Sequence, residues 1–146
     1  MAVHPSPTDL SCHLFCAARY GEVSKVHNLL RSGADPSWRD AGVYNRTPLH
    51  MAAMNGHPKC VHALLNASSD PLATDTLGYN ALDLSLLALH GRQWRWTVKR
   101  RKACIDLLQI AYLRAQPKCA EVFVVFHPDG EIGLISPITV TNQSDQ

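Results

Sequence analysis

The chain has 146 residues, 46% of them hydrophobic, and a formal net charge of 14 − 12 = +2. That length holds one domain or one short repeat array, and the composition supports a real core rather than disorder. No apolar run approaches the roughly 18–20 residues needed to span a bilayer; the opening MAVHPSPTDL has no apolar stretch of the secretory type, and five cysteines without C-x-x-C spacing favour free thiols in a reducing compartment.

Residues 1–9 read as a disordered lead-in. Beyond them, HLFCAARYGEVSKVHNLLRSGADP (13–36) returns as PLHMAAMNGHPKCVHALLNASSDP (48–71). Ala17-Ala18 recurs as Ala52-Ala53, Gly21 as Gly56, Leu29-Leu30 as Leu64-Leu65 and Asp35-Pro36 as Asp70-Pro71, each at an offset of 35. A third copy opens at GYNALDLSLLALHG (78–91), where Asn80-Ala81-Leu82 follows Thr47-Pro48-Leu49 by 33. Its closing Leu107-Leu108 follows Leu64-Leu65 by 43, so 43 − 33 = 10 residues are inserted between the two helices of that copy. Repeat boundaries near 10–40, 41–74 and 75–116 follow.

Local chemistry predicts a helix–turn–helix unit. Thr47 suits an N-cap, and Pro48 suits the first helical position, where a missing N–H costs nothing. Gly56 can end the first helix in the left-handed region, and Pro58 can start the second. Val26, Leu29 and Leu30, then Val61, Leu64 and Leu65, form apolar stripes at helical spacing. ADPSWRDAGVYN reads as a turn-rich finger leading into the next copy.

These residues carry a resemblance. TPLHMAAMNGH followed by VHALL, with LLRSGAD one period earlier, closely resembles the ankyrin repeat over residues 10–90 and again over 103–113. The implied fold is mainly α, an ankyrin-repeat stack of helix–turn–helix–β-turn units, with a C-terminal β-hairpin added. The chain departs from the family pattern at several places. Cys12-His13-Leu14-Phe15 stands where the motif has Thr-Pro-Leu-His, and two extra residues lengthen the finger before Thr47. Asp83 replaces the motif's histidine, Ser85-Leu86 its small pair, and Ser68 a glycine.

After the repeats, EVFVVF (121–126), HPDG and EIGLIS (131–136) predict two strands about a turn, with Pro128, Asp129 and Gly130 at the turn positions. A segment 117–138 is expected either to cover the open end of the stack or to offer an edge to a partner's strand. Residues 139–146 read as a disordered tail.

Catalysis and metal binding find little support. There is no G-x-S-x-G, phosphate-cradling glycine loop or H-E-x-x-H, and Cys12, His13 and Cys16 lack the C-x-x-C knuckle usual in a structural zinc site. No cofactor, metal or catalytic residue is expected. The resemblance assigns His50 a structural hydrogen-bonding role. It also implies partner contacts on the fingers (Trp38, Arg39, Tyr44, Leu77, Tyr79) and on free inner-helix positions (Arg19, Tyr20, Met51, Met54, Asn55, Leu87, Ala88). Aromatic, Met and Arg side chains are enriched at protein interfaces. A non-catalytic adaptor or regulatory subunit, cytoplasmic or nuclear, monomeric or within a hetero-complex, is the implied function.

The inserted stretch RQWRWTVKRRK (92–102) holds six basic residues, Arg92, Arg95, Lys99, Arg100, Arg101 and Lys102, with Trp94 and Trp96 and no acid. Without it the balance is 8 − 12 = −4, so the basicity is local. Thr97 is expected to cap a helix from Val98 towards Leu113, with Val98, Ile105, Leu108 and Tyr112 facing inward. The stretch reads as dispensable to the stack and partner-facing. A solvated loop, an acidic protein partner, a nuclear-import address in Lys99–Lys102 and binding to nucleic acid or an anionic membrane all stay open, with a nuclear or nucleic-acid-associated factor as the alternative function.

Overall fold

The computed structural model describes residues 7–89, 95–116, 124–126 and 132–134. It divides into two units, 1–115 and 116–146. The first holds six helices: α1 (Pro7–Tyr20), α2 (Val23–Arg31), α3 (Pro48–Met54), α4 (Pro58–Asn66), α5 (Ala81–Leu89) and α6 (Arg95–Ala115). They pair as α1–α2, α3–α4 and α5–α6. The first members stack as a row α1–α3–α5, and the second members as a row α2–α4–α6. The chain reaches its next pair through a finger: residues 32–46 lead into α3, and 67–80 into α5. Among the described residues no helix is long and apolar enough to cross a membrane.

The repeated small residues are the reason the inner row packs closely. Ala17, Ala18, Ala52 and Ala53 are all buried, and their small side chains let neighbouring inner helices approach closely at these positions. Leu14, Val26, Leu49, Val61, Leu64 and Leu108 fill the space towards the outer row. In the third copy Ser85 replaces the alanine and is also fully buried. Its hydroxyl donates to Ala53 O at 3.4 Å, so the buried oxygen has a partner.

Helix ends follow the expected capping with two revisions. Thr47 caps α3 in extended geometry, its side chain accepting from His50 N–H, with Pro48 at the first position. In the third copy Asn80 and Asp83 cap each other reciprocally: Asn80 N–H donates to Asp83 Oδ2 at 3.0 Å, and Asp83 N–H to Asn80 Oδ1 at 2.9 Å. The first revision is at the N-terminus, where residues 7–9, expected to be disordered, form the first turn of α1. Asp9 in that turn sits where the helix dipole favours an anion. The second concerns α6, which begins at Arg95 rather than Val98, so Thr97 lies inside the helix and Val98 is exposed instead of inward. Ile105 and Leu108 are buried as expected.

Histidines stitch the copies together. Thr47 N–H donates to His50 Nδ1 at 3.1 Å and Thr47 Oγ1 lies 2.8 Å from the same nitrogen, so Nδ1 is the acceptor. The other ring nitrogen, Nε2–H, donates to Tyr79 O in the next finger at 3.2 Å. His57 does likewise at the opposite helix ends, its Nε2 3.1 Å from Arg19 O and its Nδ1 3.0 Å from Arg100 Nη2. The ring fits because residue 21 is glycine: a Cβ there would meet His57 Nδ1 at 2.4 Å. Both imidazoles are held neutral. Burial lowers the His50 pKa below 6.5 against the upward pull of its bond to Tyr79. Burial also lowers His57, with the Arg100 charge adding to the effect.

The second unit, described by itself, holds β1 (Val124–Phe126) and β2 (Ile132–Leu134), antiparallel with Val124 opposite Leu134 and Phe126 opposite Ile132. The rest of segment 117–146, with the turn, covering role and tail expected of it, lies outside the described residues.

Two predictions follow from helix ends and rings. Gly33 (φ 88) and Ser68 (φ 64) end α2 and α4 in the same left-handed conformation. The bond Ala34 N–H to Leu29 O (3.0 Å) is matched by Ser69 N–H to Leu64 O (3.1 Å). A serine pays a steric cost of about 1–2 kcal/mol there that glycine does not. Ser68→Gly is therefore expected to stabilise the fold by about 1 kcal/mol, read as a rise of a few degrees in Tm; an unchanged or lower Tm refutes it.

The second prediction concerns pH. A native pKa below 6.5 means that the folded state binds fewer protons than the unfolded state between that lowered value and 6.5. The contribution of His50 and His57 is present above pH 6.5 and lost as pH falls below it. Urea melts should show a plateau above about pH 7 and a falling midpoint towards about pH 5; a flat midpoint across that interval is incompatible with neutral rings.

Candidate partner-binding surface

The fingers are held from beneath by one ion pair. Arg46 Nε lies 3.0 Å from Asp75 Oδ2, and both side chains are almost wholly removed from solvent. Asp75 Oδ1 accepts from Leu77 N–H at 2.9 Å and Tyr79 N–H at 3.0 Å. Burial pushes the Asp75 carboxyl upward, but the Tyr79 and Leu77 amides and the Arg46 guanidinium outweigh it and hold it below 3.8. The Arg46 guanidinium carbon lies 4.9 Å from the centre of the Tyr44 ring, and its Nη1 reaches Met54 Sδ at 3.5 Å. One side chain thus touches finger one, finger two and the end of α3.

Further contacts join finger to finger. Arg39 Nη1 donates to Thr74 O at 2.8 Å and to Asn45 O at 3.2 Å. Thr76 N–H donates to Tyr44 O at 2.9 Å. Bridges Asp40–Arg46 and Thr74–Asn80 close the base of each finger. Trp38 packs edge-on against Phe15 of α1, ring centres 5.8 Å apart, and is half-buried. Of the two expected partner contacts here, Trp38 therefore spends part of its area inside the fold, while Arg39 stays exposed with one guanidinium nitrogen bonded to the fingers.

The tips remain open. Tyr44 is 54% exposed and Leu77 57%, with Tyr79 beside them at 39%. Tyr44 (φ 51) and Asn45 (φ 55) are both left-handed, a conformation uncommon for non-glycine residues and an outlier for a bulky one. On the inner row Arg19, Tyr20, Asn55 and Leu87 are exposed, and Met54 and Ala88 are half-buried. Asn55 Nδ2 donates to Met51 O at 2.9 Å. Met51 corrects the expectation: it is 2% exposed, because α3 is enclosed between α1 and α5, and it cannot meet a partner.

Sequence reasoning passed over Arg46 and Asp75. The available signal was Asp75 three residues before Gly78, a carboxylate placed to accept turn amides.

The basic stretch is partly structural. Arg92 and Trp94 lie outside the described residues; Arg95 and Trp96 fall in the first turn of α6. Lys99, Arg100 and Lys102 are exposed and Arg101 is half-buried. Arg101 donates to Ala88 O near the end of α5 and lies over Gly56, where a Cβ would meet its Cγ at 2.9 Å. Arg100 donates to the His57 ring. The reading of the stretch as dispensable is therefore corrected for these two residues. The last carbonyls of a helix lack intrahelical donors and sit at the negative end of its dipole, and Arg101 supplies a cation there.

Two open grooves of about 380 and 520 Å³ run along the outer row, sharing His62 and Leu107 in their walls. Among the described residues no three His, Cys, Asp or Glu side chains are grouped to hold a metal. Cys12 and Cys16 are exposed on α1, whereas Cys60 and Cys104 are buried. Burial pushes the Cys104 thiol to about 12, which leaves it a packing group rather than a nucleophile.

Comparison with known proteins agrees with this architecture. The family pattern for ankyrin repeats in three copies matches residues 14–94. Among solved structures, the ankyrin domain of AnkB from Legionella pneumophila is similar, at 26% identity and a TM-score of 0.59, covering 70% of this chain and 92% of that one. No curated protein matches the chain. With more than half of its length matched and its helix pairs stacked as described, the chain belongs to the ankyrin-repeat family, whose repeats generally mediate protein–protein interaction and are generally non-catalytic.

Proposed function

We propose that this protein is a non-catalytic adaptor or regulatory subunit that binds a partner protein through the finger tips Tyr44, Leu77 and Tyr79, with Tyr20, Asn55 and Leu87 extending the surface along the inner row. The conformation of Tyr44 carries the reading. Its left-handed backbone (φ 51) costs about 1–2 kcal/mol, and strain of this kind tends to persist at ligand-contacting sites. The ring is nonetheless presented to water beside an exposed leucine and a second tyrosine. Aromatic side chains on a rigid support are the usual anchors of protein interfaces. A cytoplasmic or nuclear location, and a monomer or a member of a hetero-complex, go with this reading. The nucleic-acid alternative is less well supported, since phosphate-driven binding draws on roughly 6–10 contacts and four cations of this region, Lys59, Lys99, Arg100 and Lys102, are exposed among the described residues.

The test begins with affinity capture of the partner, followed by calorimetric titration of variants. Tyr44→Gly and Leu77→Ala are each expected to weaken binding by more than ~1 kcal/mol. Tyr44→Gly should leave Tm near the wild-type value, because relief of about 1–2 kcal/mol of backbone strain offsets about 0.5–1 kcal/mol of lost cation–π contact. Asp75→Ala, by contrast, strands Arg46 and should destabilise the fold by about 3–5 kcal/mol in urea melts. Normal binding by both tip variants places the interface elsewhere.

A further inference from the structure

Aligned on the paired leucines, Pro58 at the start of α4 corresponds to residue 58 + 43 = 101 in the third copy. The contact of Arg101 with Gly56, in the turn between α3 and α4, agrees with that register. Since α6 begins at Arg95, residues 95–100 are six residues of additional helix. At 1.5 Å per residue they run about 9 Å past the inter-helix turns. That edge lies at the helix ends opposite the fingers, because fingers join one pair to the next whereas turns join helices within a pair.

The extension and the residues that follow it are rich in cations and hold no acid before Asp106. Arg95, Lys99, Arg100, Arg101 and Lys102 precede the first acid of α6, Asp106. Lys59, exposed in the first turn of α4, adds a further cation beside His57, the residue that Arg100 touches. The ion pairs among the described residues, Lys25–Glu22 and Arg46–Asp75, do not involve this group. Arg100 and Arg101 have acceptors, but these are a neutral ring and a carbonyl, which fix the guanidinium groups in place and leave their charge intact. Arg95, in the first turn of α6, also opposes the helix dipole, by about 0.3–1 kcal/mol. Val98, an exposed apolar residue, sits among them.

We propose that the overhanging start of α6 is a second docking surface, on the edge opposite the finger tips, for an acidic stretch of polypeptide. Charge complementarity selects an anion, and magnitude selects its class. Phosphate-driven nucleic-acid binding draws on roughly 6–10 contacts, whereas four cations of this group, Lys59, Lys99, Arg100 and Lys102, are exposed among the described residues. Carboxylates with apolar neighbours match three exposed cations around Val98. Two surfaces on opposite edges let a single chain hold two proteins at once.

The experiment titrates the full chain into a fluorescein-labelled decaglutamate peptide, read by anisotropy, beside a short DNA duplex and phosphatidylserine vesicles. Decaglutamate is expected to bind saturably and several-fold more weakly at about 200 mM than at about 50 mM salt. Lys99→Glu with Lys102→Glu should weaken it at least about tenfold at unchanged Tm, as both side chains are exposed and lie outside the Arg100 and Arg101 bonds. If the double reversal perturbs folding, Lys99→Gln with Lys102→Gln should still weaken binding several-fold. Tyr44→Gly should leave decaglutamate binding unchanged, which separates this surface from the finger tips. Absence of saturable binding, insensitivity to the lysine variants, or tighter binding of duplex or vesicles than of peptide overturns the proposal.

Discussion

The neutral imidazole of His50 is the constraint on which the stack depends, because one planar ring answers two different demands. Its Nδ1 accepts from Thr47 and so completes the cap of α3, while Nε2–H reaches Tyr79 O in the following finger. A charged ring would have two donors and no acceptor, and the cap of α3 would lose its partner. Local helix initiation and the spacing between repeats are thus coupled through one protonation state. Arg46 and Asp75 lie within the electrostatic reach of that ring, so the finger base and the cap share one buried polar network.

At the opposite helix ends the same problem is solved with different residues. His57 covers Gly21 and bonds Arg19 O; in the third copy Arg101 covers Gly56 and bonds Ala88 O. The exchange of imidazole for guanidinium accompanies the lengthening of α6. A stretch of sequence that looks alien to the repeat therefore performs one of the repeat's own tasks while adding a cationic projection.

Much of this was legible in the residues themselves. The period of 35 located both copies, Thr47-Pro48 located a helix start, and paired leucines located the outer row. Three features were not legible, for separate physical reasons. Ser68 sits where glycine is expected yet keeps the left-handed turn, because the hydrogen bonds of the helix end over-determine the conformation. The start of α6 was misplaced because Thr97 is a good cap by type, whereas Arg95, Trp96 and Thr97, which precede Val98, are themselves helical. Met51 and Met54 differ by less than one helical turn, and only the packing of α3 between its neighbours decides that the first is enclosed and the second reaches Arg46.

Asp83 has a further meaning for the architecture. It replaces the histidine of the second copy and pairs with Asn80, so every group in that cap is answered locally. A carboxylate has no ring N–H to extend to a neighbour. The ring-to-carbonyl bond that fastens the second repeat to the third therefore has no counterpart at Asp83, and a repeat placed beside the third would rest on finger-to-finger and apolar contacts instead.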